Sequence, residues 1–275
     1  MVHSLHDTVT LNNGVKMPWF GLGVYKAQDG KEVQQAVETA LEVGYRSIDT
    51  ASFYQNEEGV GQSIKASGLP RESLFVTTKV WNDQQGYEET LKAFEESRKK
   101  LGLDYVDLYL VHWPIKGKYI ETYRALEKLY QEGWVRAIGV SNFKEHHLDD
   151  LLSHTSIVPA VNQIELHPRL TQEEVRAYCK EKGIQVEAWS PLMRARLFEE
   201  PTLNQLAKKY GKTPAQIILR WDLDRGIITI PKSVTPSRIK ENADVFDFRL
   251  TEDELKLIDA LNQNERTGMD PDKMS

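Results

Sequence analysis

Three short apolar runs each end on an ionisable side chain. Asp49 closes the run inside GYRSIDTASFYQNEEGVG, Lys79 closes FVTTK, and His112 closes VDLYLVH, while Tyr54 follows Asp49 by about one turn. A carboxylate behind an apolar run is costly to desolvate unless a cation compensates it, so Asp49 calls for a buried Lys or Arg from elsewhere in the chain. Lys79 could supply it, either as a structural ion pair or as part of a site that handles protons. A desolvated lysine offers a third chemistry, imine formation with a carbonyl. A lone tyrosine near a strand end is most often core or rim, but three coincident ends point to a shared face.

The elements that would bring these ends together follow from the hydrophobic pattern. TVTLNNGVKMP places Asn-Gly between two short alternating runs, the signal for a β-hairpin ahead of the main fold, read as a lid on the barrel floor. Eight short apolar runs then occupy residues 19–24, 47–50, 74–79, 106–112, 136–140, 160–164, 185–189 and 227–230. Between them lie amphipathic segments such as KEVQQAVETALEVG, YEETLKAFEESRKKLG, IETYRALEKLYQEG and EEVRAYCKEKG, several stopped by Gly with Lys or Arg in the last turn. Strict alternation implies parallel strands, and their continuously apolar character implies cover on both faces. Eight units in about 250 residues is the size of a closed (β/α)8 TIM barrel, whose strand C-termini meet at one face; a doubly wound open sheet is the rival. TEDELKLIDALNQ carries a Thr cap with Glu254 three residues on, so an extra C-terminal helix is expected. No linker or low-complexity stretch divides the chain, and residues 1–275 read as a single domain.

Composition narrows the function classes. The 275 residues are 40% hydrophobic and 28% charged, with a net charge of −6 and interspersed signs, which fits a packed globular chain and gives no nucleic-acid footprint or membrane-surface patch. A single cysteine, Cys179, excludes an intrachain disulfide and points to a reducing compartment; it falls in a helical pattern as packing. The N-terminus lacks a signal-peptide pattern and no apolar run approaches the ~20 residues of a membrane span, so the cytoplasm is the expected location.

Several catalytic signatures are absent. Gly21-Leu22-Gly23 and Gly59-Val60-Gly61 lack the third glycine and the strand-to-helix setting of a dinucleotide fingerprint, and there is neither a Walker loop nor a nucleophile elbow. His146 and His147 are adjacent at a helix start without a ligand at i+4, so they read as solvated surface and no metal site is expected. An anion-binding device is present in IPKSVTPSRIKEN: Lys232 and Ser233 sit at a strand end and Arg238 in the first turn of the following helix, where free N–H groups and a bidentate guanidinium would hold phosphate. A solvated basic turn is the alternative. Trp189, in QVEAWSPL, could stack on a planar ring or serve as an aromatic rim.

Together these stretches resemble the aldo-keto reductase family across essentially the whole chain. GYRSIDTASFYQNEEGVG, VRAIGVSNF and IPKSVTPSRIKENADVF are similar to its three signatures, and VTTKVW and YLVHWP match as well. The closest likeness is to the smaller microbial branch, with 2,5-diketogluconate reductases, glyoxal and methylglyoxal reductases and trypanosomatid prostaglandin F synthase. The resemblance implies NADPH-dependent reduction of aldehydes and ketones (small dicarbonyls, aromatic aldehydes, keto sugars) to alcohols, by a tetrad of Asp49, Tyr54, Lys79 and His112. Tyr54 would be the general acid, its pKa brought down from about 10 by Lys79, and His112 would orient the carbonyl. The resemblance also implies cofactor contacts at Gly23 and Asp49, with Ser141, Asn142 and Gln163 binding the carboxamide. Trp189 would stack on the nicotinamide, with Ser190, Leu192 and Arg194 along the loop after it. Lys232, Ser233 and Arg238 would grip the 2′-phosphate, with Val234 beside them against the cofactor and Asn242 at the adenine, favouring NADPH over NADH.

Two departures stand out. Where many relatives have Gly-x-Gly, this chain reads Met193-Arg194-Ala195-Arg196, and the first strand ends Gly23-Val24-Tyr25 where Thr-Trp is common. Tyr25, Trp81 and Trp113 would wall a substrate pocket beside His112. No metal, nucleic acid or membrane partner is implied, and a monomer is expected. The alternatives are a Schiff-base lyase or aldolase on Lys79, and a non-catalytic NADPH-sensing subunit.

Overall fold

The computed structural model describes residues 1–275. The chain starts with an antiparallel ribbon, β1 (Thr8–Thr10) and β2 (Lys16–Pro18), turned at Gly14, whose φ of 87° favours glycine. Met17 of this ribbon joins Phe75, Leu108, Leu110, Ala137, Val161 and Ile228 in an apolar cluster. Asn12 and Asn13 donate their side-chain amides to the carbonyls of Pro159 and Arg136, each at 3.0 Å. The ribbon therefore plugs the N-terminal end of the barrel, as the Asn-Gly pattern suggests.

Eight parallel strands follow: β3 (Leu22–Gly23), β4 (Ser47–Asp49), β5 (Phe75–Val80), β6 (Val106–Val111), β7 (Val135–Ser141), β8 (Val161–Glu165), β9 (Gln185–Trp189) and β10 (Ile228–Thr229). They pair in chain order, and parallel bridges from Phe20 to Thr229 and from Gly23 to Lys232 join the last strand to the first. The sheet thus closes into a (β/α)8 barrel. Seven strands begin and end within one residue of the apolar runs. The first is shorter than expected, although Gly21 still donates its N–H to Thr229 O at 3.1 Å.

The intervening helices are α1 (Lys31–Val43), α2 (Glu57–Ala66), α3 (Tyr87–Leu101), α4 (Tyr119–Gln131), α5 (Glu145–His154), α6 (Glu173–Glu181), α7 (Pro201–Tyr210), α8 (Pro214–Asp224), α9 (Pro236–Ala243) and α10 (Glu252–Asp259). In α3, Thr90, Ala93, Phe94, Ser97 and Leu101 form one buried stripe, with Glu88 and Glu89 in the first turn and Arg98, Lys99 and Lys100 in the last. The helix α10 begins with the expected reciprocal cap: Glu254 N–H donates to Thr251 Oγ1, and Thr251 N–H donates to Glu254 Oε2.

The main apolar cluster, 58 residues between sheet and helices, dwarfs the nine inside the barrel, so the cylinder stands mainly on its outer layer. At roughly 1.5–3 kcal/mol per fully buried large aliphatic side chain, that layer dominates the folding energy. It leaves the upper interior of the barrel available for polar groups.

Candidate active site

Alternation along the strands turns Asp49 of β4 and Lys79 of β5 into the upper barrel, and His112 follows β6 at the same level. Lys79 Nζ donates to Asp49 Oδ2 at 2.7 Å, to Thr50 O at 3.0 Å and to Tyr54 Oη at 3.3 Å, which uses all three ammonium protons. Asp49 and Lys79 are both buried. Tyr54 ends a 3-10 turn, Ser52–Tyr54, which is tied down when Ser52 Oγ donates to Lys79 O at 3.1 Å. Asn56, absent from the sequence-based set, locks the same corner: its Oδ1 accepts from Thr50 Oγ1 at 2.6 Å, and its Nδ2 donates to Val24 O and Ala27 O.

The electrostatics correct one expectation. Burial pushes the Tyr54 phenol up to about 12, and Lys79 offsets only part of that, so the resting phenol is less acidic than a free one. The lysine makes it a better donor than its burial alone would allow. For Lys79, burial favours loss of the proton, but Asp49 and Tyr54 outweigh it and hold the group above its ordinary value. A permanently charged lysine is a poor imine nucleophile, which counts against the Schiff-base alternative. Burial, then Lys79, holds His112 well below the usual imidazole value, so it is neutral at physiological pH. Its ring stands 5.8 Å from that of Tyr54 at 74°.

Below this layer, Gln163 Nε2 reaches across the barrel to Asp49 Oδ1 at 2.8 Å and sideways to Glu187 Oε2 at 3.0 Å. Both amide protons are used, which leaves Oε1 of Gln163 as an acceptor without a protein partner. Ser141 donates to Gln163 O at 2.7 Å. Asn142, held at φ 64°, donates to His112 O at 3.0 Å and accepts from the Trp189 indole at 2.8 Å. One asparagine thus fixes both the histidine loop and the indole plane.

Around the rim, Ser190, Met193, Arg194 and Ala195 all adopt positive φ, so the loop keeps a left-handed path without glycines. Leu192 is half-buried, and Arg194 and Arg196 are exposed. Gly23 lies against Ile230 O, where a Cβ would approach to 2.9 Å, and is bridged to Lys232. Lys232 and Arg238 are exposed, Val234 is half-buried, and Ser233 and Asn242 are buried at the start and end of the α9 region. Arg238 occupies the first turn of α9, as expected. Neither Arg238 nor Lys232 has a carboxylate partner, and Arg194 and Arg196 of the loop after Trp189 are likewise unpaired. This donor set fits a nicotinamide dinucleotide phosphate: unpaired cations at a helix N-terminus for an anion, an oriented indole for the ring, and a free amide acceptor for a carboxamide.

Aromatic groups surround the mouth. Tyr25 packs on Tyr54 with centroids 5.1 Å apart, Trp81 stands edge-on to His112 at 5.0 Å, and Trp113, directly after His112 in the chain, is buried. Phe53, which the sequence reasoning missed, stacks on Trp81 at 3.8 Å and is exposed; its place next to Tyr54 was the available signal. A second buried acid behaves differently: Asp107 of β6 accepts from Arg71 at 2.7 Å, Arg136 at 3.0 Å and Val76 N–H at 2.9 Å, a structural knot away from the mouth.

The segment after α10 also reaches the site. Glu165 at the end of β8 accepts from the N–H and hydroxyl of Thr267, both at 2.6 Å, and from Gly268 N–H at 3.1 Å. Gly268 lies so close to Trp189 that a Cβ would stand 2.5 Å from the indole. Farther on, Lys144 Nζ contacts Asp270 at 2.7 Å and Asp272 at 2.5 Å. His147 is buried, a correction to the solvated reading, because its Nδ1 accepts from Lys144 N–H and its ring packs on Phe143. His146, His147 and Asp272 converge closely enough to suggest a metal. The His147 tautomer argues against one: with Nδ1 accepting, Nε2 carries the ring proton, and Asp272 is already neutralised by Lys144.

The closed barrel, the buried Asp-Lys pair reaching a tyrosine and the unpaired cations after the last strand agree with the family comparison. Residues 19–263 match the Aldo/keto reductase family, and the chain belongs to that family. It is 60% identical to a glyoxal reductase of Bacillus subtilis (strain 168), over 100% of this chain and 99% of the relative. Among solved structures, an aldo-keto reductase from a Medee basin deep-sea metagenome library is 50% identical with a TM-score of 0.95, covering 97% of this chain and 99% of the other. A Bombyx mori aldo-keto reductase in complex with NADP is 42% identical with a TM-score of 0.91, covering 99% and 97%.

Proposed function

We propose that this chain reduces small aldehydes and ketones to alcohols with NADPH, using Asp49, Tyr54, Lys79 and His112. The observation that carries the reading is the 3.3 Å contact between Lys79 Nζ and Tyr54 Oη, with the ammonium anchored at 2.7 Å on Asp49. When bound, the dihydronicotinamide supplies a hydride. The chain's residues do the rest. Tyr54 gives its proton to the carbonyl oxygen as negative charge builds there, and the fixed ammonium stabilises the phenolate left behind. Neutral His112 directs an N–H at the same oxygen and orients it. Trp189, held by Asn142, offers a flat face to the nicotinamide ring; Gln163 Oε1, Ser141 and Asn142 surround its carboxamide. Lys232, Ser233 and Arg238 hold the 2′-phosphate, which favours NADPH over NADH.

The aromatic mouth formed by Tyr25, Phe53, Trp81 and Trp113 suits compact carbonyls with a planar or apolar flank, and the relative named for glyoxal supports dicarbonyls as the first candidates. A cytoplasmic monomer is the simplest setting; no helix is long and apolar enough to cross a membrane. The test is dihydronicotinamide consumption with methylglyoxal, a diketo-sugar acid, an aromatic aldehyde and a quinone, on the native chain and on Tyr54→Phe. The variant should lose on the order of 10²-fold or more in kcat while still binding NADPH. Retained turnover in Tyr54→Phe, or no consumption with any carbonyl, refutes the proposal.

A further inference from the structure

Among the buried acids that carbonyl reduction by the tetrad does not use, Glu187 is the one that touches the tetrad's own hydrogen-bond network. Glu187 lies on β9, directly paired in register with Gln163 on β8, and is wholly buried. The Gln163 amide spans the two carboxyl groups, 3.0 Å from Glu187 Oε2 and 2.8 Å from Asp49 Oδ1, while Glu187 Oε1 has no partner. The charged groups facing it are Asp49 from β4 and Lys79 from β5. Gln163 from β8 is uncharged, and β10 presents Ile228 at the paired position. Lys79 is already bound to Asp49, so an ionised Glu187 would be a second anion in a low-dielectric interior with no cation of its own.

Resting on the tetrad reading, we infer that Glu187 is a positioning residue for the proton donor: as a neutral acid it holds Gln163 against Asp49, and on losing its proton it slows proton release from Tyr54. An extra negative charge beneath Asp49 binds the Lys79 ammonium more tightly and disfavours the phenolate that proton donation creates. Burial, reinforced by Asp49, pushes the Glu187 carboxyl up to about 8, which brings its ionisation within an ordinary pH profile. The same shift carries a stability signature. A carboxyl that keeps its proton in the native state but loses it near the usual value in the unfolded chain stabilises fully below about pH 4.5, and that stabilisation is lost as pH rises to about 8.

Glu187→Gln keeps an oxygen to accept from Gln163 and cannot ionise. The experiment records kcat/KM for carbonyl reduction against pH, and melting temperature against pH without substrate, for the native chain and Glu187→Gln. The native profile should fall through about pH 8, and the variant's fall should move at least about one unit higher, with kcat near neutrality reduced two- to threefold, roughly. The native melting temperature should decline relative to the variant's between about pH 5 and about pH 8. Superimposable pH–rate profiles, or a uniform loss at every pH, overturn the positioning role. A melting difference independent of pH overturns the buried neutral acid. If neither protein reduces carbonyls, the tetrad reading fails, and the melting curves still decide whether Glu187 is protonated.

Discussion

Replacing Lys79 with methionine separates the catalytic from the structural work of one ammonium. The side chain fills similar volume but removes the three contacts to Asp49, Thr50 and Tyr54. At 3.3 Å and an effective dielectric of about 20, the ammonium–phenolate attraction is about 5 kcal/mol, or between about three and four pKa units. If about half of the proton transfer is complete in the transition state, kcat should fall on the order of 10²-fold. Stability should also fall, by about 3–5 kcal/mol, because Asp49 is left as a buried carboxylate without its cation. The double change Asp49→Asn with Lys79→Met should restore most of the melting temperature and none of the turnover. The assay is steady-state NADPH consumption at matched folded fraction, checked by thermal melts. A Lys79→Met variant that is folded and within about fivefold of native kcat would refute the field-assisted phenol.

Three further outcomes follow from the same geometry. Lys232→Ala, which removes an exposed cation without a carboxylate partner, should raise KM for NADPH by about tenfold and leave KM for NADH nearly unchanged; equal effects would mean the phosphate is held elsewhere. Gly268→Ala should rotate the Trp189 indole away from a Cβ placed at 2.5 Å, weakening its 2.8 Å bond to Asn142 and raising KM for cofactor by about threefold to tenfold with little change in melting temperature. Asp107→Ala should do the reverse: it takes the acceptor from the buried Val76 N–H and the carboxylate from the partly exposed Arg71 and Arg136, costs about 1–3 kcal/mol of stability and leaves kcat of the folded fraction intact.

The strands were legible because parallel barrel strands are apolar on both faces, and the helices because their stripes and caps are local signals. Asp49, Lys79 and His112 could be read as converging because each stands at a strand end, where the fold itself dictates the meeting point. What a neighbour contributes across space was not legible. Asn56, Phe53 and the Thr267–Glu165 contact depend on how loops lie after the barrel closes, and nothing within their own segments encodes it. Glu187 left a trace, an acid between Val186 and Ala188 in the QVEAW run, but its partner is on another strand. The Tyr54 acidity was misjudged for a related reason: the attraction of a nearby ammonium can be inferred from pairing, whereas the opposing cost of burial depends on the finished packing.

The seam between the first and last barrel strands rests on two isolated bridges, Phe20 with Thr229 and Gly23 with Lys232, whereas β6 with β7 and β8 with β9 share five paired positions each. Lys232 is therefore a stitch in that seam as well as part of the rim. The closure of the whole cylinder therefore leans on backbone packing at a few positions, and a side chain at Gly23, whose Cβ would stand 2.9 Å from Ile230 O, would prise the rolled sheet apart at its least laddered edge.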